Sequence, residues 1–276
     1  MSSQSISLYN QLAKNRLFKK RINFDLSRIK KVLKNFNNPE RKLSNVINII
    51  GSDGKFSLLT CLKYFIEENG QSVSTFISPS LKDIKERFWI KNRFLSHKEI
   101  KETIKIIQKQ KIPLTTFEVL TVIYILNSSR ISSDYNLIEA GALFAKDSTN
   151  LFDFPKLQAI VNINKQHLNF VKKKTIQEII RQKVGFLSNY TDIYVGKQKP
   201  ENNKIIKNIL KKNKSNKFYY PRWKLIKRNK KYLYKDNLQT INLKNKFINS
   251  DGLYQNLCMA IKIALDLGIS KKKIES

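Results

Sequence analysis

A short segment with two glycines, one lysine and two serines follows the first strongly apolar run of the chain. The run VINII ends at Gly51, and the sequence continues through Gly54, Lys55 and Ser57. A lysine beside unpaired backbone N–H groups at a helix start can neutralise phosphate, and a nearby hydroxyl can bind Mg²⁺. The spacing is G-x-x-G-K-x-S and not the common G-x-x-x-x-G-K-[ST]. The spacing alone therefore favours a phosphate-binding loop and a plain strand-to-helix turn about equally.

Apolar strands and amphipathic helices alternate along the chain and must position this segment. The patterns predict helices at 26–36, 57–68, 96–110, 116–128, 175–187, 200–212 and 251–267. They predict strands at NVINII, QSVSTFI, YNLIEA, LQAIVNI and TDIYVG, and antiparallel hairpins over 217–243. Ser96 with Glu99 three residues later predicts a capping box. This order predicts a three-layer α/β fold with a mostly parallel sheet covered on both faces.

The predicted core combines the strand residues with one face of each neighbouring helix. It comprises Val46, Ile47, Ile49, Leu58, Phe65, Val119, Ile123, Leu137, Ile160 and Val161.

Six segments of the chain resemble, in the same order and with matching gaps, the folylpolyglutamate synthase/dihydrofolate synthase family of the Mur ligase superfamily. They are NNPERKLSNVINIIGSDGKFSLLTCLKYFIEENGQSVSTFISPSL, KERFWIKNRFLSHKEI, LTTFEVLT, NLIEAGALFAKDSTN, NINKQHLNFVKKKTIQEIIRQKVGFLS and TDIYVGKQKPE. The resemblance runs from about residue 23 to residue 270.

The resemblance implies a P-loop Mur-ligase central domain over residues 45–270, after a helical lead-in over residues 1–44. It implies a ligase that uses ATP and Mg²⁺ to form an acyl phosphate on a pteroate or folate carboxylate. The amine of glutamate then attacks to form an amide. The sequence ends at Ser276, about where the family has a further α/β domain. We therefore expect that C-terminal ligase domain to be absent from this chain, or to be supplied by a partner chain.

The resemblance also assigns roles to individual residues. Nucleotide-binding residues would be Gly51, Ser52, Gly54, Lys55, Ser57 and Asn256, and metal-binding residues would be Ser57, Ser78, Glu139 and His167. Lys55, His167 and Lys183 would act in catalysis, with Lys183 carried as a metal-binding carbamate. Phe117 and Glu118 would lie on the substrate side.

Several positions depart from the family pattern. Phe56 replaces a glycine of the loop, Asp53 replaces an asparagine, and Leu143 and Phe144 replace two further glycines. If the Phe56 position needs a positive φ or close approach to phosphate, a bulky side chain strains the backbone or blocks the ligand. These losses leave open a second hypothesis, a degenerate paralogue without catalytic activity.

The net charge of +32 allows a third hypothesis, a nucleic-acid-binding protein. In KFYYPRWKLIKRNKKYLYK, rings could stack on bases and lysines could contact phosphates. A β-hairpin with one packed face and one solvated face explains the stretch better, so we expect small-molecule substrates and no nucleic acid.

The chain's location is predicted from cysteines and hydropathy. Cys61 and Cys258 form neither a metal spacing nor a disulfide framework, which fits a reducing compartment. The N-terminus has no apolar signal core, and no apolar run is long enough to cross a membrane. We therefore expect a cytoplasmic protein without membrane contact.

Overall fold

The computed structural model of the chain describes residues 3–14, 18–19, 24–228, 231–243, 248 and 250–275. Its helices are α1 (Ser3–Lys14), α2 (Ser27–Asn35), α3 (Lys55–Glu68), α4 (His97–Gln108), α5 (Thr116–Ile131), α6 (Ile176–Val184), α7 (Pro200–Leu210), α8 (Asp251–Asp266) and α9 (Lys271–Glu275). Short 3-10 turns cover Pro39–Lys42, Ile84–Arg87 and Leu168–Phe170.

The strands are short and separated mainly by these helices. They are β1 (Phe18–Lys19), β2 (Val46–Ile50), β3 (Val73–Phe76), β4 (Phe88–Ile90), β5 (Arg93–Phe94), β6 (Leu114–Thr115), β7 (Tyr135–Glu139), β8 (Leu157–Ile160), β9 (Asp192–Val195), β10 (Phe218–Tyr219), β11 (Lys224–Arg228), β12 (Lys231–Lys235) and β13 (Thr240–Leu243).

Within the described residues, eight strands form the main sheet in the order β10-β9-β8-β2-β7-β3-β4-β5. The strands from β10 to β3 run parallel, and β4 and β5 are antiparallel additions at one edge. Central β2 pairs with β7 on one side (Ile49 opposite Glu139) and with β8 on the other (Ile50 opposite Ile160). From β2 the chain runs through α3 to β3 on one side, and from β7 it crosses to β8 on the other side of β2. Ligands bind at the carboxyl ends of the strands where the strand order changes direction in this way.

Helices cover both faces of the main sheet, which confirms the predicted three-layer α/β fold. On one face, Ile47 and Ile49 of β2 pack in a buried cluster with Leu58 of α3 and Met259 of α8. On the other face, Val46 packs in a cluster with α4 and α5, and Ile50 packs in a cluster with α6 and α7. Successive side chains of β2 point to alternate faces of the sheet. All of them are buried because helices cover both faces.

The predicted core is confirmed at nine of its ten positions, which are buried. The exception is Phe65, which is only partly buried and packs at the edge of the cluster around α3. The capping box of Ser96 and Glu99 is also confirmed at the start of α4. Apolar periodicity and cap residues therefore located the main helices well.

The prediction of hairpins over 217–243 was wrong at its beginning. Phe218 and Tyr219 form β10, which pairs parallel with β9 and so supplies partners to an otherwise open sheet edge. The rest is antiparallel as predicted, in the order β11-β12-β13. Tyr234 is buried, and Tyr232 stacks on Tyr254 of α8 with 3.8 Å between ring centroids. These rings pack inward, so the structure favours the packed hairpin over a base-stacking surface.

The unpredicted parts of the fold include the β4–β5 pair that extends the sheet beyond β3, the β1–β6 pair and α9. Helix α1 falls within the helical lead-in expected over residues 1–44, but its own bounds were not predicted. Across the described residues, no helix is both long and apolar enough to span a membrane.

Candidate active site

The loop between β2 and α3 needs glycine at two positions. Gly51 has φ of 148°, and a Cβ there would lie 2.4 Å from a methyl of Val161. Gly54 has φ of 87° and is the N-cap of α3. The backbone N–H groups of Ser52 and Asp53 both donate to the carbonyl oxygen of Asn162, at 2.8 and 3.2 Å. The loop is therefore fixed against the segment that follows β8.

The amino end of α3 is the natural anion site of this loop. The first N–H groups of a helix have no intrahelical partners, and the helix dipole favours negative charge there. The Nζ atom of Lys55 donates to the carbonyl oxygen of Ser52 at 3.1 Å and lies 3.7 Å from Oε1 of Glu139. One cation and several free donors thus face the carboxyl end of β2.

Phe56 does not strain the loop. It lies within α3, so its backbone is helical, and its side chain is 51% exposed. The positive φ values of the loop fall on Gly51 and Gly54 instead. Asp53, the other unusual residue, accepts hydrogen bonds from Gln166 Nε2 at 2.7 Å and from Asn164 Nδ2. Both oxygens of its carboxylate therefore accept hydrogen bonds from side-chain amides.

Glu139 lies at the end of β7, and its carboxylate forms the ion pair with Lys55 described above. Its Oε2 atom accepts a hydrogen bond of 2.9 Å from the backbone N–H of Ser78. Burial raises the pKa of Glu139, and the Ser78 N–H group and the charge of Lys55 oppose that rise. An ionised carboxylate offers about four lone-pair sites, so both oxygens of Glu139 keep acceptor capacity for a metal ion.

The donor set at Glu139 fits a magnesium ion that arrives with a nucleotide. Within the described ranges, no group of three or more His, Cys, Asp or Glu side chains could hold a metal by itself. Mg²⁺ often uses one or two carboxylates and completes its shell with substrate phosphates and water. Ser57 Oγ donates to the carbonyl of Gly54 and accepts from Nδ2 of Asn256, both at 2.9 Å. A hydroxyl has two lone pairs, so one remains for a metal.

The side chain of Lys183 extends from α6 to the glycine loop. Its buried Nζ donates to the carbonyl oxygens of Gly51 at 2.8 Å and Ala142 at 2.6 Å. Burial, and then the positive charge of Lys55, lowers the pKa of Lys183 to about 7. A neutral amine carries two hydrogens, which match these two acceptors. The structure thus brings Lys183 to the loop as a group that ties it to the segment after β7.

His167 precedes the 3-10 turn Leu168–Phe170 and has φ of 60°. Its ring stacks on Phe170 with 5.8 Å between centroids. Burial lowers the pKa of His167, and the charges of Lys183 and Lys55 lower it further. Among the described residues, His167 forms no ion pair with Glu139. The surroundings of His167 therefore favour the neutral form of its imidazole.

The two residues expected on the substrate side are tied into the structure. Glu118 completes a capping box by accepting from the N–H of Thr115 at 2.6 Å, and it also pairs with Arg28 at 3.0 Å. Phe117 stacks on Phe76 with 5.8 Å between centroids. The T-x-x-E pattern of this capping box is visible in the sequence, and it gives a structural reason for a glutamate at position 118.

The residues that replace two family glycines after β7 are both buried. Leu143 and Phe144 pack in the cluster formed by α6 and α7. The N–H groups of Phe144 and Ala145 donate to the carbonyl oxygen of Gln182, at 3.2 and 2.9 Å. This segment therefore packs as core and is held by α6.

Helix α1 holds the loop that carries Ser78, a contact that sequence reasoning missed. The hydroxyl of Tyr9 hydrogen-bonds Ser80 Oγ and accepts from Arg87 Nε, both at 2.9 Å. The N–H of Ile84 donates to Ser5 Oγ at 2.8 Å. The spacing of Leu8 and Leu12, both buried, was the available signal for this helix.

Two clefts border the glycine loop on opposite sides of Gly54. One, of about 570 Å³, lies between the loop, the start of α7 and the start of α8, and Asn256 is among its lining residues. The other, of about 680 Å³, lies between α3 and the β4–β5 pair, with Lys55 and Glu139 among its lining residues.

Comparison with known proteins agrees with this geometry, although no protein-family model matches the chain. Dihydrofolate synthase/folylpolyglutamate synthase of Bacillus subtilis is 26% identical over 191 residues, which are 66% of this chain and 44% of that protein. The chain thus spans less than half the length of this relative.

Solved structures show the same fold over nearly the whole chain. Folylpolyglutamate synthase of Thermotoga maritima aligns with a TM-score of 0.82 at 21% identity, over 98% of this chain and 64% of that one. The Mycobacterium tuberculosis folylpolyglutamate synthase, solved with ADP, aligns with a TM-score of 0.85 at 16% identity, over 99% and 64%. The chain is therefore similar in sequence to dihydrofolate synthase/folylpolyglutamate synthase and has the fold of the solved folylpolyglutamate synthases.

Proposed function

We propose that this protein is an ATP-dependent ligase that activates a carboxylic acid and joins it to an amino acid through an amide bond. In the finer form of the proposal, the acid is a pteroate or folate and the amino acid is glutamate. The observation that carries it is the cluster at the carboxyl ends of β2 and β7. There, Lys55 at the amino end of α3 lies 3.7 Å from the buried carboxylate of Glu139.

The roles of the loop residues follow from charge. Lys55 and the free N–H groups of α3 would bind the terminal phosphates, whose charge they neutralise. Ser57, Ser78 and Glu139 would hold Mg²⁺, which when bound neutralises phosphate charge as a Lewis acid. The cleft lined by Asn256 would take the nucleoside.

Lys183 and His167 would serve a second position near the loop. A pKa of about 7 leaves a substantial fraction of Lys183 as the free amine at neutral pH, which is the form that reacts with carbon dioxide to give a carbamate. His167, in its favoured neutral form, could act as a metal ligand or proton acceptor. A carbamylated Lys183 would have to release at least one of its two backbone carbonyls.

The test is calorimetric titration of the purified chain with Mg-ATP. We expect the wild type to bind and Lys55→Ala to weaken binding by at least tenfold. Lys101→Ala, which removes an exposed lysine of α4, serves as the matched control and should bind as the wild type does. Absence of binding by the wild type at millimolar Mg-ATP, or equal binding by Lys55→Ala, would contradict the proposal.

Turnover is tested separately, because the chain spans only part of its relatives. ADP release is measured with dihydropteroate and glutamate, first with the chain alone and then with any protein that copurifies with it. Release that needs both substrates supports the ligase.

A non-catalytic relative is the second candidate, favoured by the burial of Phe144 where the family has a glycine. It predicts Mg-ATP binding that depends on Lys55 with no ADP release under either condition.

A further inference from the structure

The segment that joins β3 to β4 carries Ser78, one of the proposed metal ligands, and covers residues 77–87. We call it the Ser78 loop. Its middle is ordered from within, because three consecutive backbone N–H groups, those of residues 81–83, donate to the carboxylate of Glu86. Its first residues are held differently, through hydrogen bonds that lead from α1 to Glu139.

The peptide group between Ile77 and Ser78 is bound on both sides. Its N–H donates to Oε2 of Glu139 at 2.9 Å, and its carbonyl oxygen accepts from Nη1 of Arg87 at 3.4 Å. A peptide group is planar, so a contact that fixes the carbonyl oxygen also fixes the direction of the N–H. Hydrogen bonds that share a peptide group polarise one another as well. The position of the Arg87 guanidinium therefore affects how the carboxylate of Glu139 is held.

Arg87 is a buried cation that the proposed function has not used. Its exposed fraction is 8%, and within the described ranges it forms no ion pair. A guanidinium that is buried without a carboxylate partner is costly, so its presence needs a reason. Burial raises the pKa of Glu139, and the charge of Arg87 is among the influences that oppose that rise. Arg87 thus favours the ionised carboxylate, which is the form that binds a metal.

Tyr9 of α1 holds the guanidinium of Arg87 in place. Its hydroxyl accepts from Nε of Arg87 and hydrogen-bonds Oγ of Ser80, both at 2.9 Å. A hydroxyl can accept one hydrogen bond and donate another, so the two contacts form together. Leu8 and Leu12 of the same helix are buried in the cluster with α4 and α5, which anchors α1. The contacts therefore run from an anchored helix to the metal site.

We propose that Tyr9 and Arg87 are positioning residues of the metal site. They fix the peptide group that joins residues 77 and 78, and this group holds Glu139 and the start of the Ser78 loop where Mg²⁺ binds. The inference rests on the proposed function, which places Mg²⁺ there. It extends the site to α1, although none of the described residues that line the two clefts beside the glycine loop comes from this helix.

The test is the Mg²⁺ dependence of ATP binding, measured by calorimetry from EDTA up to millimolar Mg²⁺. Tyr9→Phe removes the hydroxyl and keeps the ring. We expect it to raise the Mg²⁺ concentration for half-maximal gain in ATP affinity about tenfold, the lower end of the cost of losing a group that orients a metal ligand. The Kd for ATP in EDTA should stay within twofold of the wild type. A merely structural role would lower stability and leave the Mg²⁺ requirement unchanged.

Arg87→Lys separates position from charge. Lysine keeps the positive charge but lacks the rigid fork with which arginine binds two partners at once. We expect Arg87→Lys to raise the Mg²⁺ requirement as Tyr9→Phe does. If Arg87→Lys instead requires no more Mg²⁺ than the wild type, the charge alone is sufficient and the positioning role is wrong.

The control substitution is Tyr234→Phe, which also removes a hydroxyl that donates to a partner, here Asp236 at 2.6 Å. Tyr234 lies in β12, outside the main sheet, so this variant should show the wild-type Mg²⁺ requirement. Thermal unfolding without ligand verifies that all three variants are folded.

The outcomes separate this inference from the ligase proposal. Absence of Mg-ATP binding by the wild type would contradict both. If the wild type binds, an unchanged Mg²⁺ requirement in Tyr9→Phe would overturn this inference alone and leave the ligase untouched. An equal loss of ATP affinity with and without Mg²⁺ would do the same, because the hydroxyl would then act on the nucleotide site and not on the metal.

Discussion

Nδ2 of Asn256 donates a hydrogen bond of 2.9 Å to Oγ of Ser57 and so joins α8 to the first turn of α3. The same amide crowds the glycine loop, since a Cβ on Gly54 would lie 2.1 Å from that nitrogen. Asn256 thus touches both the loop hydroxyl and the loop glycine. The contact makes the loop dependent on a residue near the other end of the sequence.

Gly54→Ala should destabilise the protein through two separable effects. One is the positive φ of 87°, a left-handed conformation that costs an alanine about 1–2 kcal/mol. The other is the contact with Asn256, which should add about 1–3 kcal/mol of overpacking. We expect the free energy of unfolding, measured by urea titration, to fall by the sum.

Gly70→Ala isolates the first effect. Gly70 has φ of 81°, and a Cβ there would meet nothing within 4 Å. Gly54→Ala should therefore be the more destabilising of the two, and Asn256→Ala should reduce that excess. Equal losses of unfolding free energy in the two glycine variants would show that the Asn256 amide moves aside without destabilising the protein.

Glu139→Gln should change both the pH dependence of stability and the response to Mg-ATP. Burial raises the folded-state pKa of Glu139 above its unfolded value, so the folded state binds the proton more tightly. The carboxylate therefore costs the wild type stability as pH rises through that window. We expect the variant to gain stability relative to the wild type as pH rises from 4 to 7, in urea titrations without metal.

The same variant should lose the stabilisation that Mg-ATP gives the wild type in thermal unfolding. Glu102→Gln, at an exposed position of α4, is the control and should retain both responses. If Glu139→Gln is still stabilised by Mg-ATP to the wild-type extent, then Glu139 does not bind the metal.

Lys183→Met should remove a pH-dependent cost of burying an amine. The folded-state pKa of Lys183 is about 7, whereas an unfolded lysine holds its proton to above pH 10. Between these values the unfolded state binds more protons, so wild-type stability rises with pH, by at most about 1.4 kcal/mol per pH unit. As pH rises from 6.5 to 9.5, we expect the free energy of unfolding of the wild type to increase relative to that of Lys183→Met.

The measurement for Lys183 is urea unfolding at several pH values, with Lys101→Met as the exposed control. A difference that does not vary with pH would mean that Lys183 stays charged in the folded protein, despite its burial.

Phe144→Gly, which restores the family residue, should destabilise the protein by about 3–5 kcal/mol or more. The ring is buried in the cluster with α6 and α7, and its removal leaves a cavity. Phe154→Gly removes a ring that is 78% exposed and should cost far less. Thermal unfolding compares the two. Tighter Mg-ATP binding by Phe144→Gly without loss of stability would instead show that position 144 faces the phosphate site.

The sequence predicted most of the fold because its signals are local. β2 and β7 are runs of buried residues between turn residues, and Ser96 with Glu99 marks the start of α4. β10 was missed because two residues gain strand geometry only by pairing with β9. The link from Tyr9 to Ser80 was missed because it joins residues 71 positions apart.

The candidate site was predictable in its loop but less so around it. Gly51, Gly54 and Lys55 lie as their spacing suggested, at the end of β2 and the start of α3. The sequence left open whether Phe56 strains or blocks the loop, and the structure places it in α3 with its side chain about half exposed. The substrate-side role that the resemblance gives Glu118 stays a prediction; its side chain caps α5 and pairs with Arg28. The catalytic and metal-binding roles of Glu139, His167 and Lys183 stay predictions.

The hydrogen bond from Asn256 to Ser57 spans 199 residues, which has a consequence for synthesis of the protein. Ribosomes add about 5–20 residues per second, so α8 follows α3 by about 10–40 s. During that interval the side of α3 that packs against α8 has no cover. A nascent chain released early would expose this apolar surface to chaperones. The hydrogen bond from Asn256 to the glycine loop can form only after residue 256 has been translated.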